Sequence, residues 1–204
     1  LEAAIILKKR GHNPILCEAT DTLGGQFLTA GEAPRKKEMK AAAISMAKKA
    51  ERLGVDIRMN TKVTPEMIEE IKPHTVMNAI GAESIIPPIP GVDKAFVKDS
   101  HDILDGKAEA TGNVVVIGGG MVGMETAEYL AEKGAKVSVL EMLPDICSDM
   151  GTTRKICMGE EIQKSGIIPV TSVKVTEIGD NVVIGEKDGE KVEFPCDTAV
   201  LAIG

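Results

Sequence analysis

Six consecutive residues, Gly118-Gly119-Gly120-Met121-Val122-Gly123, satisfy the spacing GxGxxG, and a carboxylate, Glu141, follows about 18 residues after the last glycine. Each type has a chemical reason to stand where it does. Gly118 permits a tight turn, Gly120 lets the backbone approach a diphosphate closely, and Gly123 lets a helix pack against the preceding strand. Unpaired amides at a helix start, with the helix dipole behind them, make an anion site, to which Met121 and Val122 contribute. An acid at Glu141 accepts hydrogen bonds from two ribose hydroxyls and repels a 2′-phosphate, and Met142-Leu143 supply no arginine to offset that repulsion. The pattern therefore predicts NAD(H) in preference to NADP(H).

The hexapeptide alone is a weak signal, and its context strengthens it. Val114 to Ile117 forms an apolar strand before it, Met121 to Lys133 an amphipathic helix after it, stopped by Gly134, and Val137 to Glu141 a second strand. This is a βαβ unit. The bland alternative is an ordinary strand-to-helix turn with a solvated acid at a strand end. Further on, the sequence predicts a helix from Thr152 to Lys164, a strand near Ile167 to Val170, a hairpin with Asp188-Gly189 at its tip, and a closing strand from Thr198 to Ile203. The expected fold class is α/β, a Rossmann-like three-layer FAD/NAD(P)-binding fold with two nucleotide-binding lobes, the first incomplete.

The first half alternates in the same way. Leu1 to Arg10 reads as a helix ended by Gly11, Asn13 to Glu18 as a strand ending on an acid, and 21–25 as a turn. Met39, Ala43, Met46, Ala50 and Leu53 recur every three or four residues and place a helical stripe within 34–53. Val55 to Met59 reads as a strand, Thr64-Pro65-Glu66 opens a short helix, and Thr75 to Ala79 reads as another strand. Three prolines between Ile85 and Gly91 interrupt any ladder, so the lobes are expected to divide as 1–94 and 95–204. Helix, strand ending in Glu and later Ala-Ile-Gly occur in both halves, an approximate internal repeat. By that repeat Glu18 holds a second adenosine ribose, though it reads equally as a surface acid. Arg35, Lys36 and Lys37 crowd a helix start against its dipole, which a phosphate would explain, as would a solvated basic turn offset by Glu32 and Glu38.

Composition narrows the partners. With net charge −7 and a pI near 5.1, and no basic stripe interleaved with aromatics, nucleic-acid binding is disfavoured. No apolar run reaches the roughly 20 residues of a membrane span, and a cytoplasmic protein is the expectation. Cys17, Cys147, Cys157 and Cys196 lie far apart and offer no CxxC pair or metal-ligand spacing, so no metal site is expected. His12, His74 and His101 are scattered and read as loop or surface residues, so no catalytic acid or base is assigned.

With these residues quoted, the chain resembles the C-terminal FAD/NAD(H)-binding region of the 2-enoate reductase and 2,4-dienoyl-CoA reductase family of NADH:flavin oxidoreductases. The resemblance covers essentially all 204 residues. It rests on Leu1-Glu2-Ala3-Ala4 as the tail of a glycine fingerprint, Leu23-Gly24-Gly25-Gln26, Pro34 with its basic cluster, and Asn60-Thr61-Lys62-Val63. Ala79-Ile80-Gly81-Ala82, the run Gly118 to Leu130, and Ala202-Ile203-Gly204 complete it. It implies an FAD site using Glu18, Gly24, Gly25, Gln26, Lys36, Val63, Ala79 and Gly81. NADH would be held over the flavin by Gly118 to Gly123, Glu141 and Gly204.

The resemblance further implies an upstream barrel with FMN and an iron–sulfur cluster, outside this chain. It also implies that the first lobe lacks its first strand and glycine loop. The chain alone is then expected to bind NADH weakly, FAD poorly or not at all, and to be inactive as an enzyme. Two other readings stay open: an NADH oxidase or disulfide-reductase-type flavoprotein, which needs a reactive cysteine beside the flavin, and a non-catalytic nucleotide-binding module.

Overall fold

The structure is a computed structural model; it describes residues 1–148 and 150–203 and divides between Ala82 and Glu83 into two compact units. That division lies on the N-terminal side of the proline stretch. Ile89, Val92 and Phe96 pack into the core of the second unit and carry the proline stretch with them.

The first unit runs α1 (Glu2–Lys9), β1 (Ile15–Cys17), α2 (Gln26–Ala30), α3 (Lys37–Arg52), β2 (Asp56–Arg58) and α4 (Pro65–Ile71). Strands β1 and β2 pair in parallel with Leu16 opposite Ile57. Ala4 and Ile5 of α1 meet Ala50 of α3 and Val55, and Met46 and Leu53 extend the contact, so the three-and-four stripe faces this core. At the start of α4, Thr64 Oγ1 accepts the Met67 N–H and Pro65 occupies the first helical position, where no amide partner is needed. One expectation fails. Thr75 to Ala79 forms no strand, and Val76, Met77 and the following Ile80 are 54%, 63% and 89% exposed. Apolar composition invites a strand, but a ladder needs a neighbour to take its N–H and C=O groups, and the described two-stranded sheet supplies none here.

The second unit begins with β3 (Val97–Asp99) and α5 (Ser100–Leu104), followed by β4 (Asn113–Ile117), α6 (Met121–Glu132) and β5 (Lys136–Leu140). It continues through α7 (Thr152–Ser165), β6 (Ile168–Val170), β7 (Lys174–Ile178), β8 (Val182–Lys187), β9 (Glu190–Pro195) and β10 (Thr198–Leu201). Five strands make a parallel sheet in the order β3-β10-β4-β5-β6, and β7-β8-β9 form an antiparallel meander.

Period-two alternation sorts the parallel strands onto two faces. On one, Val114 and Val116 of β4, Val137 and Val139 of β5 and Val200 of β10 pack against Met124, Ala127 and Leu130 of α6 and Ile103 of α5. On the other, Val115, Ile117, Leu140, Ala199 and Leu201 meet Ile178, Val183 and Phe194 of the meander. Helices, parallel sheet and meander make up three layers, in keeping with the expected three-layer fold. The Asp188-Gly189 tip turns with φ of 52° and 81°, as a two-residue hairpin with the sheet's own twist requires.

Candidate nucleotide-binding site

Sheet order reverses at β4, with β5 and β6 on one side and β10 and β3 on the other. In open α/β sheets the crevice at such a point, outside the carboxyl ends of the strands, is where ligands bind. Gly118 follows β4 directly and turns with φ of 111°, a conformation L side chains rarely adopt. A Cβ there would stand 2.4 Å from the Ala202 carbonyl oxygen. Ala202 in turn donates its N–H to Ile117 O at 2.9 Å, tying the ends of β4 and β10 together under the bend. At Gly123 a Cβ would lie 1.9 Å from Gly118 O, so only glycine lets α6 press this closely on the bend. Around the Cβ direction of Gly120 nothing lies within 4 Å, and α6 opens on this residue with no side-chain cap. The first-turn amides carry no side-chain cap, and the space a side chain at 120 would fill lies open beside them. Met121 and Val122 flank it, partly exposed.

Glu141 stands one residue past β5 and is 9% exposed. Its Oε2 accepts the Gly119 N–H at 2.7 Å and its Oε1 accepts the Leu143 N–H at 2.8 Å. Each carboxylate oxygen retains a further lone-pair direction for a hydroxyl donor. Gly119 is held a second time, since the Cys147 N–H donates to Gly119 O at 2.8 Å. Farther along α6, Glu125 is almost buried and pairs with Arg154 Nη2 of α7 at 2.9 Å. Lys155 of α7 pairs with Asp145. Gly204 lies outside the described residues.

In the first unit Glu18 follows β1, and its Oε1 accepts both the N–H and the Oγ1 of Thr20 at 2.9 Å. Gly24 turns at φ of 127° and a Cβ there would press on Leu28 and Ala43, whereas Gly25 has nothing within 4 Å. Gln26 opens α2, and its Nε2 donates to Ala82 O at 2.7 Å. Its Oε1 lies 3.7 Å from where a Gly81 Cβ would be, so Gln26 and Gly81, 55 positions apart in the sequence, come together. Lys36 is the residue before α3, and Val63, Ala79 and Gly81 lie exposed.

Two features escape sequence reading. Ser84 Oγ lies 2.9 Å from His101 Nδ1, and Asp99 Oδ1 lies 3.4 Å from the same nitrogen while accepting the His101 backbone N–H at 2.8 Å. Both partners share one ring nitrogen, whereas an activated nucleophile needs the hydroxyl on one nitrogen and the acid on the other. The cluster ties residue 84 to the start of α5 and activates nothing. The second is the Cys147 amide on Gly119, a contact across 28 positions that no local spacing announces.

None of the four cysteines is joined in a disulfide. Cys196 is buried beneath the meander, and burial, with the nearby Asp197 charge, pushes its thiol up to about 11. Such a thiol stays protonated and unreactive near neutral pH. Among the described residues no helix is long and apolar enough to cross a membrane.

Fold and site together define a dinucleotide-binding module of the Rossmann class. More particularly, the chain belongs to the pyridine nucleotide-disulphide oxidoreductase family, whose model matches residues 1–204. It is 41% identical to bilirubin reductase of Mediterraneibacter gnavus over 204 residues, which are the whole of this chain and 32% of that relative. To NADH oxidase of Thermoanaerobacter brockii it is 40% identical over 209 residues, again the whole chain against 32%. Among solved structures, a 2-naphthoyl-CoA reductase in complex with 2-naphthoyl-CoA superposes with a TM-score of 0.92 at 30% identity, covering all of this chain and 31% of the other. The chain thus spans about a third of the length of the curated relatives it matches. These matches bear out the resemblance to the FAD/NAD(H) region of the enoate and dienoyl-CoA reductases, and the Rossmann-like fold class.

Proposed function

We propose that the chain is the nucleotide-binding part of a flavin-dependent oxidoreductase, in which the second lobe binds NADH for hydride transfer to FAD. The observation that carries this reading is the open cradle at Gly120 in front of the α6 amides, with the Glu141 carboxylate after the adjacent strand. When bound, the nicotinamide and the flavin supply the redox chemistry. This chain's residues bind and orient. The amides of Gly120 to Gly123 and the α6 dipole favour a diphosphate, Glu141 accepts the ribose hydroxyls, and Gly204 closes the predicted NAD set. A 2′-phosphate would bring like charge against a nearly buried carboxylate, which sets the preference for NADH.

In the first lobe, Glu18, Gly24, Gly25, Gln26, Lys36, Val63, Ala79 and Gly81 form the proposed FAD set. Support comes from the open position at Gly25 and from the Gln26 bridge to Ala82. The β1–β2 pair, which has no further strand beside it among the described residues, and the bare segment 75–80 support the reading that this lobe is partial and is completed by further strands of a longer protein. The proposed partner is then an upstream barrel carrying FMN and an iron–sulfur cluster, which passes electrons to an enoate- or dienoyl-type acceptor in the cytoplasm.

Calorimetry decides the core of this reading. NADH is expected to bind the 204-residue chain at least about tenfold more tightly than NADPH, the discrimination one repelled charge supplies. No heat with either coenzyme at millimolar concentration, or a preference for NADPH, refutes it. A purified chain that is colourless at flavin wavelengths is expected from a partial first lobe, and a stoichiometric yellow protein refutes that part.

A further inference from the structure

Binding a diphosphate and a ribose does not require the acid to touch the glycine bend, yet here it does. Glu141 commits one carboxylate oxygen to the Gly119 amide at 2.7 Å and the other to Leu143 at 2.8 Å, while Cys147 holds the Gly119 carbonyl at 2.8 Å. Gly119, the residue between the two functional glycines, is gripped at its N–H and at its C=O by the segment 141–147. A Cβ at Gly119 would fall 2.8 Å from Glu141 Cβ and 3.0 Å from Ile146 Cγ2. The run has a third glycine because the acid and its loop occupy the room a side chain needs.

We propose that Glu141 is a positioning residue for the diphosphate bend as well as the ribose acceptor, so that recognition of the two ends of an ADP group is coupled through Gly119. The inference rests on the nucleotide reading above. An amide bonded to a buried, ionised carboxylate is held more firmly than one bonded to water. The bend is therefore set before the ligand arrives, and less ordering cost falls on binding. Displacing the acid loosens the amides that face the diphosphate, even for a ligand that never touches the acid.

ADP and 2′,3′-dideoxy-ADP separate the two roles, because both carry the diphosphate and only the first carries ribose hydroxyls. Their affinities are measured by calorimetry for the wild-type chain, Glu141→Gln and Gly119→Ala, with melting temperatures alongside. Glu141→Gln is expected to weaken dideoxy-ADP about tenfold, the loss of one charge-assisted hydrogen bond, although this ligand has no hydroxyl for the acid to hold. Gly119→Ala is expected to weaken both ligands and bring their affinity ratio toward one, because its methyl pushes Glu141 aside.

Unchanged dideoxy-ADP affinity in Glu141→Gln overturns the proposal, as does an unchanged ratio in Gly119→Ala or a lowered melting temperature with both affinities intact. If a variant does not fold, the wild-type chain decides. Its Gly119 amide should exchange slowly with solvent in nitrogen-15 NMR spectra, and fast exchange overturns the brace. Absence of heat from the wild-type chain with ADP is a different result, which overturns the nucleotide reading itself.

Discussion

At the scale of single residues, two glycines of the fingerprint fail in different ways when a methyl is added. Gly123→Ala meets a backbone oxygen at 1.9 Å that cannot swing away, so it is expected to cost about 2 kcal/mol or more, read as a lower melting temperature. Gly120→Ala meets nothing within 4 Å and is expected to melt like wild type, yet to lose at least about tenfold in NADH affinity because its methyl enters the cradle. A variant pair that failed identically in both assays would contradict this division. Cys196 offers a second test. Its thiol is raised from 9.0 to about 11 in the folded chain by burial, and a raised pKa contributes stability that is complete below the unfolded value and lost as pH climbs through the folded one. Stability should therefore fall between pH 9 and about 11, and Cys196→Val should remove that part of the fall in urea titrations.

At the scale of elements, α6 ties the bend to the sheet through Met124, Ala127 and Leu130. Leu130 is 1% exposed, and Leu130→Ala is expected to cost about 3 kcal/mol in denaturant titrations, a cavity's worth. A loss below about 1 kcal/mol would mean that the helix packs more loosely than described. The βαβ unit 113–141 was legible because both its periods repeat within one element and its glycine spacing is local. So were the Asp188-Gly189 turn and the Thr64-Pro65 helix start, where the residue types name the conformation. Strand β3 and helices α2 and α5, at three and five residues, are shorter than the window in which a period shows, and sheet partners complete them. The segment 75–79 misled because strand propensity describes a residue, whereas a strand belongs to a pair. Of the site, the bend and Glu141 could be read from spacing. The Cys147 grip and the Gln26 approach to Gly81 could not, since both join residues that only folding brings together.

For the whole molecule, the two units carry unequal cores. Ala4, Ile5, Ala50 and Val55 make the buried cluster of the first, against two extensive clusters in the second. Tyr129 is the sole tyrosine, and there is no tryptophan. Near-ultraviolet signal at the tyrosine band thus reports on the second unit, while helical signal from α1 and α3 reports on the first. Urea is expected to melt the helical signal in part before the tyrosine signal changes, and superimposable curves would show one cooperative unit instead.

Strand β10 is made after β4, β5 and β6 yet lies between β3 and β4. On a ribosome, the strands made earlier cannot close their sheet until Leu201 has cleared the exit tunnel. Until then the nascent chain exposes the unpaired flank of β4, an apolar seam that invites chaperone capture or association with neighbouring chains. The joining of β3 to β4 within one sheet is thus timed by the arrival of the four-residue strand between them.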